Sequence, residues 1–363
     1  MRWLFRIALT VTLLFITNAR IGWMQEAAPP PLDVRTDLPA QIALQYYDDL
    51  PTTWLTMAGG SLVQVAPDFL METESFGFAW SPDCTRYAFS AISPADEDEQ
   101  PFYRIWAGDY GSDEVTPVSP IGIDGSASQI FWSPESTRIG YHVFNSSGIG
   151  VNIATLETGE NFSIALELAE PRIAGWIDEA RLIVYNTQMV APNVYTRDYY
   201  LVTLAVGDYE MAPLPGQYDL VLPDSAHGDR FAALTYFADE NHFGLMLYAL
   251  DGTLLQELAP AVWSVGLYWS FDGTMLAYQD VDGVPHVVDI ETGEDRALAL
   301  NPYSDYVMGW SRDGSHLIYR YPLAEFPSNN GLAIYEIATD TSKLLLSPDP
   351  TDSGLYSWSA CIP

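Results

Sequence analysis

Residues 78–91 read FAWSPDCTRYAFSA. An apolar run ends at Trp80, Ser-Pro-Asp interrupts it, and a second apolar run opens at Tyr87. Nearly the same sentence returns as IFWSPESTRIGYHV around Trp132, LYWSFDGTMLAYQD around Trp269 and MGWSRDGSHLIYRY around Trp310. In each copy the second run begins seven residues after the Trp, at Tyr87, Ile139, Leu276 and Leu317. Aromatic and β-branched residues favour strands, and Pro-Asp-Gly chemistry favours the turn between them. Each copy therefore reads as a hairpin, with strand A ending at the Trp and strand B following. Cys84 and Ser136 occupy the turn position that Gly273 and Gly314 hold elsewhere, so these two turns are expected to use another geometry.

Weaker copies fill the gaps. Trp176 precedes a shortened turn, and LVLPDSAHGDRFAALTY supplies a copy without Trp, its first run ending at Leu222. A second hairpin built around Asp-Gly or Thr-Gly follows each first one, as in HVVDIETGEDRALAL. The unit is four strands, A to D, repeating about every 46 residues. Four antiparallel strands at this period describe a propeller blade. Strand B starts fall at Ile42, Tyr87, Ile139, Leu182, Phe231, Leu276 and Leu317, while strand A ends run from Trp80 to Trp358. The first B strand lacks an A strand, and the last A strand lacks a B strand. The sequence thus predicts an all-β, seven-bladed propeller of four-stranded antiparallel blades, closed by pairing the N- and C-terminal strands. That closure places Cys84 and Cys361 at the same end of adjacent blades, where a disulfide would clasp the C-terminal strand; two free thiols are the alternative.

The flanking segments suggest organisation. Arg2 and Arg6 precede an apolar run ending at Ile16, too short for a span of about 20 residues. It fits an export signal over 1–19, with an uncleaved anchor as the alternative. Residues 20–40, with Pro29, Pro30, Pro31 and Pro39, read as a tether, and 41–363 as a single propeller domain. The expected location is outside the cytoplasm: secreted, periplasmic or on the cell surface.

With 363 residues, 48% of them apolar, the chain can build a substantial core. Its 48 acids outweigh 15 Lys plus Arg, giving a formal charge of −33. Nucleic acid would be repelled, since such binding rests on cationic side chains displacing counterions. Docking on anionic lipid is disfavoured for the same reason, and membrane association is expected only if the N-terminal segment is retained. A monomer is expected.

The pieces WSPDCTRYAF, WSPESTRIGY, WSFDGTMLAY and WSRDGSHLIY, with hairpins such as DIETGEDRALAL, resemble the TolB-like (PD40, WD40-like) class of bacterial β-propellers over residues 41–363. The resemblance implies the fold and says little of activity. The additional N-terminal domain of TolB has no room here, nor does the hydrolase domain of prolyl-peptidase relatives, so no catalytic residue carries over.

Chemistry is sparse. Nucleophile-elbow, His-Glu-x-x-His, Walker and Cys-x-x-Cys motifs are absent. His142, His227, His242, His286 and His316 are scattered over different blades. DVDG at 280–283 and ADEDEQ at 95–100 offer oxygens suited to Ca²⁺; solvated acidic loops are the simpler reading, and no cofactor is expected. Function should then lie on loops carried by the rigid ring. The B–C and D–A loops share one face and are richest in Tyr, Trp, Phe, Asp and Asn, a recognition composition. The candidates are Tyr46, Tyr47, Asp48, Tyr195, Asp239, His242, Trp263, Tyr303, Tyr306 and Phe326. The leading expectation is a non-enzymatic exported propeller binding a protein, peptide or glycan through this face. The alternative is a hydrolase or lyase using loop carboxylates at the channel mouth, with Ca²⁺ as an optional partner.

Overall fold

The structure is a computed structural model. It describes residues 32–34, 41–47, 52–56, 62–64, 77–92, 103–112, 114–120, 125–164, 168, 170–191, 194–205, 208–237, 242–262, 266–302, 305–323, 326–348 and 355–361. All strands are antiparallel to their neighbours.

Five blades follow one another along the chain, each with strand A innermost. Blade I comprises Phe78–Trp80, Arg86–Ile92, Tyr103–Asp109 and Val115–Pro117. Blade II comprises Ser126–Trp132, Arg138–Asn145, Gly148–Thr155 and Asn161–Ile164. Blade III comprises Pro171–Trp176, Arg181–Ala191, Val194–Ala205 and Asp208–Pro213. Blade IV comprises Leu220–Pro223, Arg230–Phe237, His242–Ala249 and Leu254–Val262. Blade V comprises Tyr268–Trp269, Met275–Gln279, Pro285–Asp289 and Asp295–Ala297. Blade VI holds Tyr306–Trp310, His316–Leu323, Phe326–Glu336 and Thr341–Pro348. A closing sheet joins Leu355–Cys361 to Gln41–Tyr47, Thr52–Thr56 and Leu62–Gln64, with Gln41 opposite Cys361 and Tyr47 opposite Leu355.

Seven uniform four-stranded blades are not what the structure shows, and that expectation is corrected. Six sheets have four strands; blade VI has five, because Leu32–Val34 adds to the outer edge of Thr341–Pro348. The proline-rich surroundings hid this strand. Three residues carry too little periodicity to announce themselves, and the edge amides they satisfy are remote in sequence.

The A–B turns show why the repeated sentence folds as it does. Ser81 Oγ donates to Asp83 Oδ1 at 2.6 Å and accepts from Arg86 N at 2.9 Å, while Asp83 Oδ1 accepts from Thr85 N at 3.0 Å. Ser270 with Asp272 and Ser311 with Asp313 repeat the arrangement. The turn needs one left-handed residue. Gly273 and Gly314 supply it at φ 67° and 70°, and Cys84 and Ser136 take it at 59°. The expected second geometry is therefore absent: the same turn is made at the steric cost of a Cβ. In blade IV, Pro223 rather than Leu222 holds the Trp position, since Pro223 pairs with Phe231 as Trp80 pairs with Tyr87.

The core is a series of clusters between neighbouring blades. Ala88 and Ile105 of blade I meet Ile139 and Tyr141 of blade II; Ile153 meets Leu182 and Val184; Leu234 and Leu247 meet Leu276 and Val288. Each fully buried Leu or Ile contributes about 1.5–3 kcal/mol. Among the described residues no helix is long and apolar enough to cross a membrane.

Candidate functional site

Among the described residues two cavities stand out, at opposite ends of the ring. The first, about 390 Å³, lies on the axis at the A–B-turn end and is lined by strand A residues including Trp80, Trp132, Trp176, Trp269 and Trp310. Its aromatic wall invites a ligand, but the indoles are committed elsewhere. Trp132 Nε1 donates to Ala79 O at 3.1 Å, Trp176 to Phe131 O at 3.0 Å, Trp269 to Leu222 O at 3.1 Å and Trp310 to Tyr268 O at 2.8 Å. Each bond joins one blade to the preceding inner strand. These tryptophans are blade-to-blade staples, which explains why the repeat carries them.

The second cavity, about 340 Å³, lies between blades III and IV on the face of the B–C and D–A loops. Tyr195, Arg197, Asp219, Leu220, Leu234 and Phe243 line it. Its outer wall is the hairpin Arg181–Ala191 and Val194–Ala205, whose strands have 11 and 12 residues. Strand A pairs with this hairpin only as far as Pro171 opposite Asn186, and strand D only as far as Pro213 opposite Tyr200. Beyond those points it continues as a two-stranded ribbon, with Met189 opposite Tyr195. With no strand paired to either edge among the described residues, its apolar side chains face water: Met189 is 66% exposed, Val190 58% and Tyr195 61%. Tyr236 and Phe237, at the end of strand B of blade IV, are also exposed.

Hydrogen bonds fix the polar wall. Arg197 Nη1 donates to Asp219 O, and its guanidinium sits 5.6 Å from the Tyr185 ring centroid. Tyr199 OH donates to the same carbonyl at 3.4 Å, and burial pushes that phenol well above its ordinary pKa. Asp219 Oδ2 accepts from Tyr236 N at 2.9 Å. Tyr236 packs 5.2 Å from Phe243, so one carboxylate ties the cavity floor to its aromatic rim.

Of the sequence-predicted residues, Tyr195 lines this cavity. His242 is half-buried beside it, 5.8 Å from the Phe237 ring. Tyr306 is exposed at the start of strand A in blade VI, away from the cavity. Tyr46, Tyr47 and Phe326 are placed only as strand positions. Asp48, Asp239, Trp263 and Tyr303 lie outside the described residues. Sequence reasoning missed Arg197, Asp219, Phe243 and the apolar tip at Met189 and Val190. The available signal was length, for Arg181–Ala205 holds more strand residues than an ordinary B–C pair.

The remaining polar clusters hold the fold together. His142 Nε2 accepts from Ile173 N at 2.9 Å and its Nδ1 bonds Gln129 Oε1. Burial, with Arg172 nearby, lowers its pKa to about 3, so the ring is neutral and joins blades II and III. His286 stands between Asp280 at 3.3 Å and Asp295 at 3.2 Å. Within the DVDG stretch, Asp280 Oδ1 accepts from Asp282 N and Val284 N, so that carboxylate closes its own turn. The acidic 95–100 stretch lies outside the described residues. Among the described residues, no group of three His, Cys, Asp or Glu is placed to hold a metal.

No family model matches the chain, and no curated protein matches it. Solved structures share the fold. A puromycin-hydrolyzing peptidase from Mycobacterium tuberculosis is similar at TM-score 0.62 and 12% identity, over 87% of this chain and 52% of that one. The β-propeller domain of the Trilobed protease from Pyrococcus furiosus is similar at TM-score 0.59 and 14% identity, over 86% of this chain and 96% of that domain. TolB from Acinetobacter baumannii is similar at TM-score 0.46 and 13% identity, over 72% of this chain and 64% of its own length. Thus the chain has the β-propeller fold, as in the Trilobed protease domain. Identities this low speak for fold alone.

Proposed function

We propose that this chain is an exported, non-enzymatic binding propeller that takes a protein, peptide or glycan on the face carrying the B–C and D–A loops. The observation that carries this reading is the ribbon beyond Asn186, which presents Met189, Val190 and Tyr195 to water beside a cavity with fixed polar groups. Exposed apolar side chains of this kind cost solubility, and clusters rimmed by polar groups mark binding surfaces. Among the described residues, Asp219 is the one carboxylate lining either cavity, where glycosidic acid–base chemistry requires two. The disulfide supports an oxidising, extracytoplasmic setting.

Chemical cross-linking in the producing cells tests the reading. The wild-type chain is expected to give a discrete cross-linked species, which Met189→Asp with Val190→Asp abolishes without lowering the amount of folded protein. An identical cross-linking pattern from the double variant would move the working surface elsewhere.

A further inference from the structure

We infer that the cavity between blades III and IV is a carbohydrate site, seating one or two uncharged pyranose units of a glycan. The inference rests on the loop-rich face being the working surface, and it names the ligand chemistry there. At about 340 Å³ the cavity is near the small end of ligand pockets, about 300–1,000 Å³. It suits a sugar ring and is too small for a folded polypeptide element.

The lining has three parts. Tyr195 and Phe243 offer aromatic rings, on which the C–H face of a pyranose stacks. Leu220 and Leu234 add apolar area. Arg197 and Asp219 add a planar donor beside a planar acceptor, each held before any ligand arrives. Asp219 Oδ1 has no protein partner among the described residues, whereas Oδ2 is engaged by Tyr236 N.

The charge pattern selects the ligand class. Arg197 alone would recognise a carboxylate. Arg197 here donates to the main-chain carbonyl of Asp219, and the Asp219 carboxylate on the same lining would repel a second anion, in a chain of formal charge −33. An Arg and an Asp on one lining complement vicinal hydroxyls, because each hydroxyl both donates and accepts. Preorganisation matters here: neither side chain has to be ordered when the sugar binds.

The experiment is saturation-transfer NMR on the full chain. The probes are the methyl glycosides of glucose, galactose, mannose and N-acetylglucosamine at millimolar concentration, with L-phenylalanine as a zwitterionic control. Saturation transfer to at least one glycoside is expected, with dissociation constants raised about tenfold, or about 1.4 kcal/mol, in Tyr195→Ala and in Asp219→Asn. Absence of transfer to every glycoside, transfer to phenylalanine alone, or affinities unchanged in both cavity variants would overturn the assignment. If glycosides fail while cross-linking through the ribbon tip persists, the sugar assignment falls and the binding face stands.

Discussion

Cys84 and Cys361, 277 positions apart, are joined by a disulfide with their Cα atoms 5.8 Å apart, at the seam between the closing sheet and blade I. At the same seam Trp80 Nε1 is buried without a hydrogen-bond partner among the described residues. Four other junctions are stapled by an indole; here a covalent bond stands in its place. In the chain-entropy account, closing so long a loop contributes about 5–6 kcal/mol. Urea unfolding with and without reductant is expected to show a large fall in midpoint on reduction. Equal midpoints would mean that the clasp adds nothing to stability.

The indole staples make a paired prediction. Trp132→Phe removes the bond to Ala79 O, and should cost about 0.5–1.5 kcal/mol beyond any packing change. Trp80→Phe removes an N–H that has no partner among the described residues, so its cost should be smaller. Denaturation midpoints of the two variants, compared directly, decide the matter; equal losses would reduce the indole bonds to incidental contacts.

Turn glycines should differ in their tolerance of a methyl group. At Gly273, φ 67°, a Cβ would come within 2.6 Å of Asp224 Oδ1 and His227 Nδ1; at Gly314, φ 70°, the nearest atom would be Met275 Cε at 3.6 Å. Both alanine variants carry the left-handed penalty of about 1–2 kcal/mol, and Gly273→Ala should lose clearly more. Thermal melts of the two proteins supply the comparison, and equal losses would contradict the crowding.

Acid should weaken the fold in two windows. His142 is held near pKa 3 by burial and by Arg172, against about 6.5 when unfolded. Its folded value is depressed, so the unfolded state binds the extra proton. Stability tied to this ring is complete above about pH 6.5 and is lost as pH falls toward 3. Asp313, held at about 2 by Ser311 and Ser315, contributes stability above about pH 3.9 that is lost as pH falls toward 2. Imidazole NMR should show His142 silent between pH 5 and 7. In Asp313→Asn the stability deficit should vanish toward pH 2. A mid-range His142 titration, or a deficit independent of pH, would reject the respective assignment.

The fold was legible because its cause is local and repeated. Trp80, Ser81 and Asp83 announce a turn whose hydrogen bonds close within five residues, and the copies at Trp132, Trp269 and Trp310 multiply the signal. Leu32–Val34 was illegible for the converse reason: its partner, Thr341–Pro348, lies some 300 positions away. The candidate site was legible as a face but not as a cavity. Tyr195 drew notice as an aromatic in a loop-like stretch, whereas Arg197 and Asp219 meet only because blades III and IV are neighbours. Nothing in their own sequence neighbourhoods records that encounter.

The added strand on blade VI has a consequence for how rings meet one another. Leu32–Val34 covers the outer edge of blade VI at Leu346, Ser347 and Pro348, and shields that stretch from a neighbouring molecule. A protease cut between residues 34 and 41 would set this short ribbon loose and turn the rim into an adhesive edge. Trimmed rings should then pair side by side more readily than intact ones.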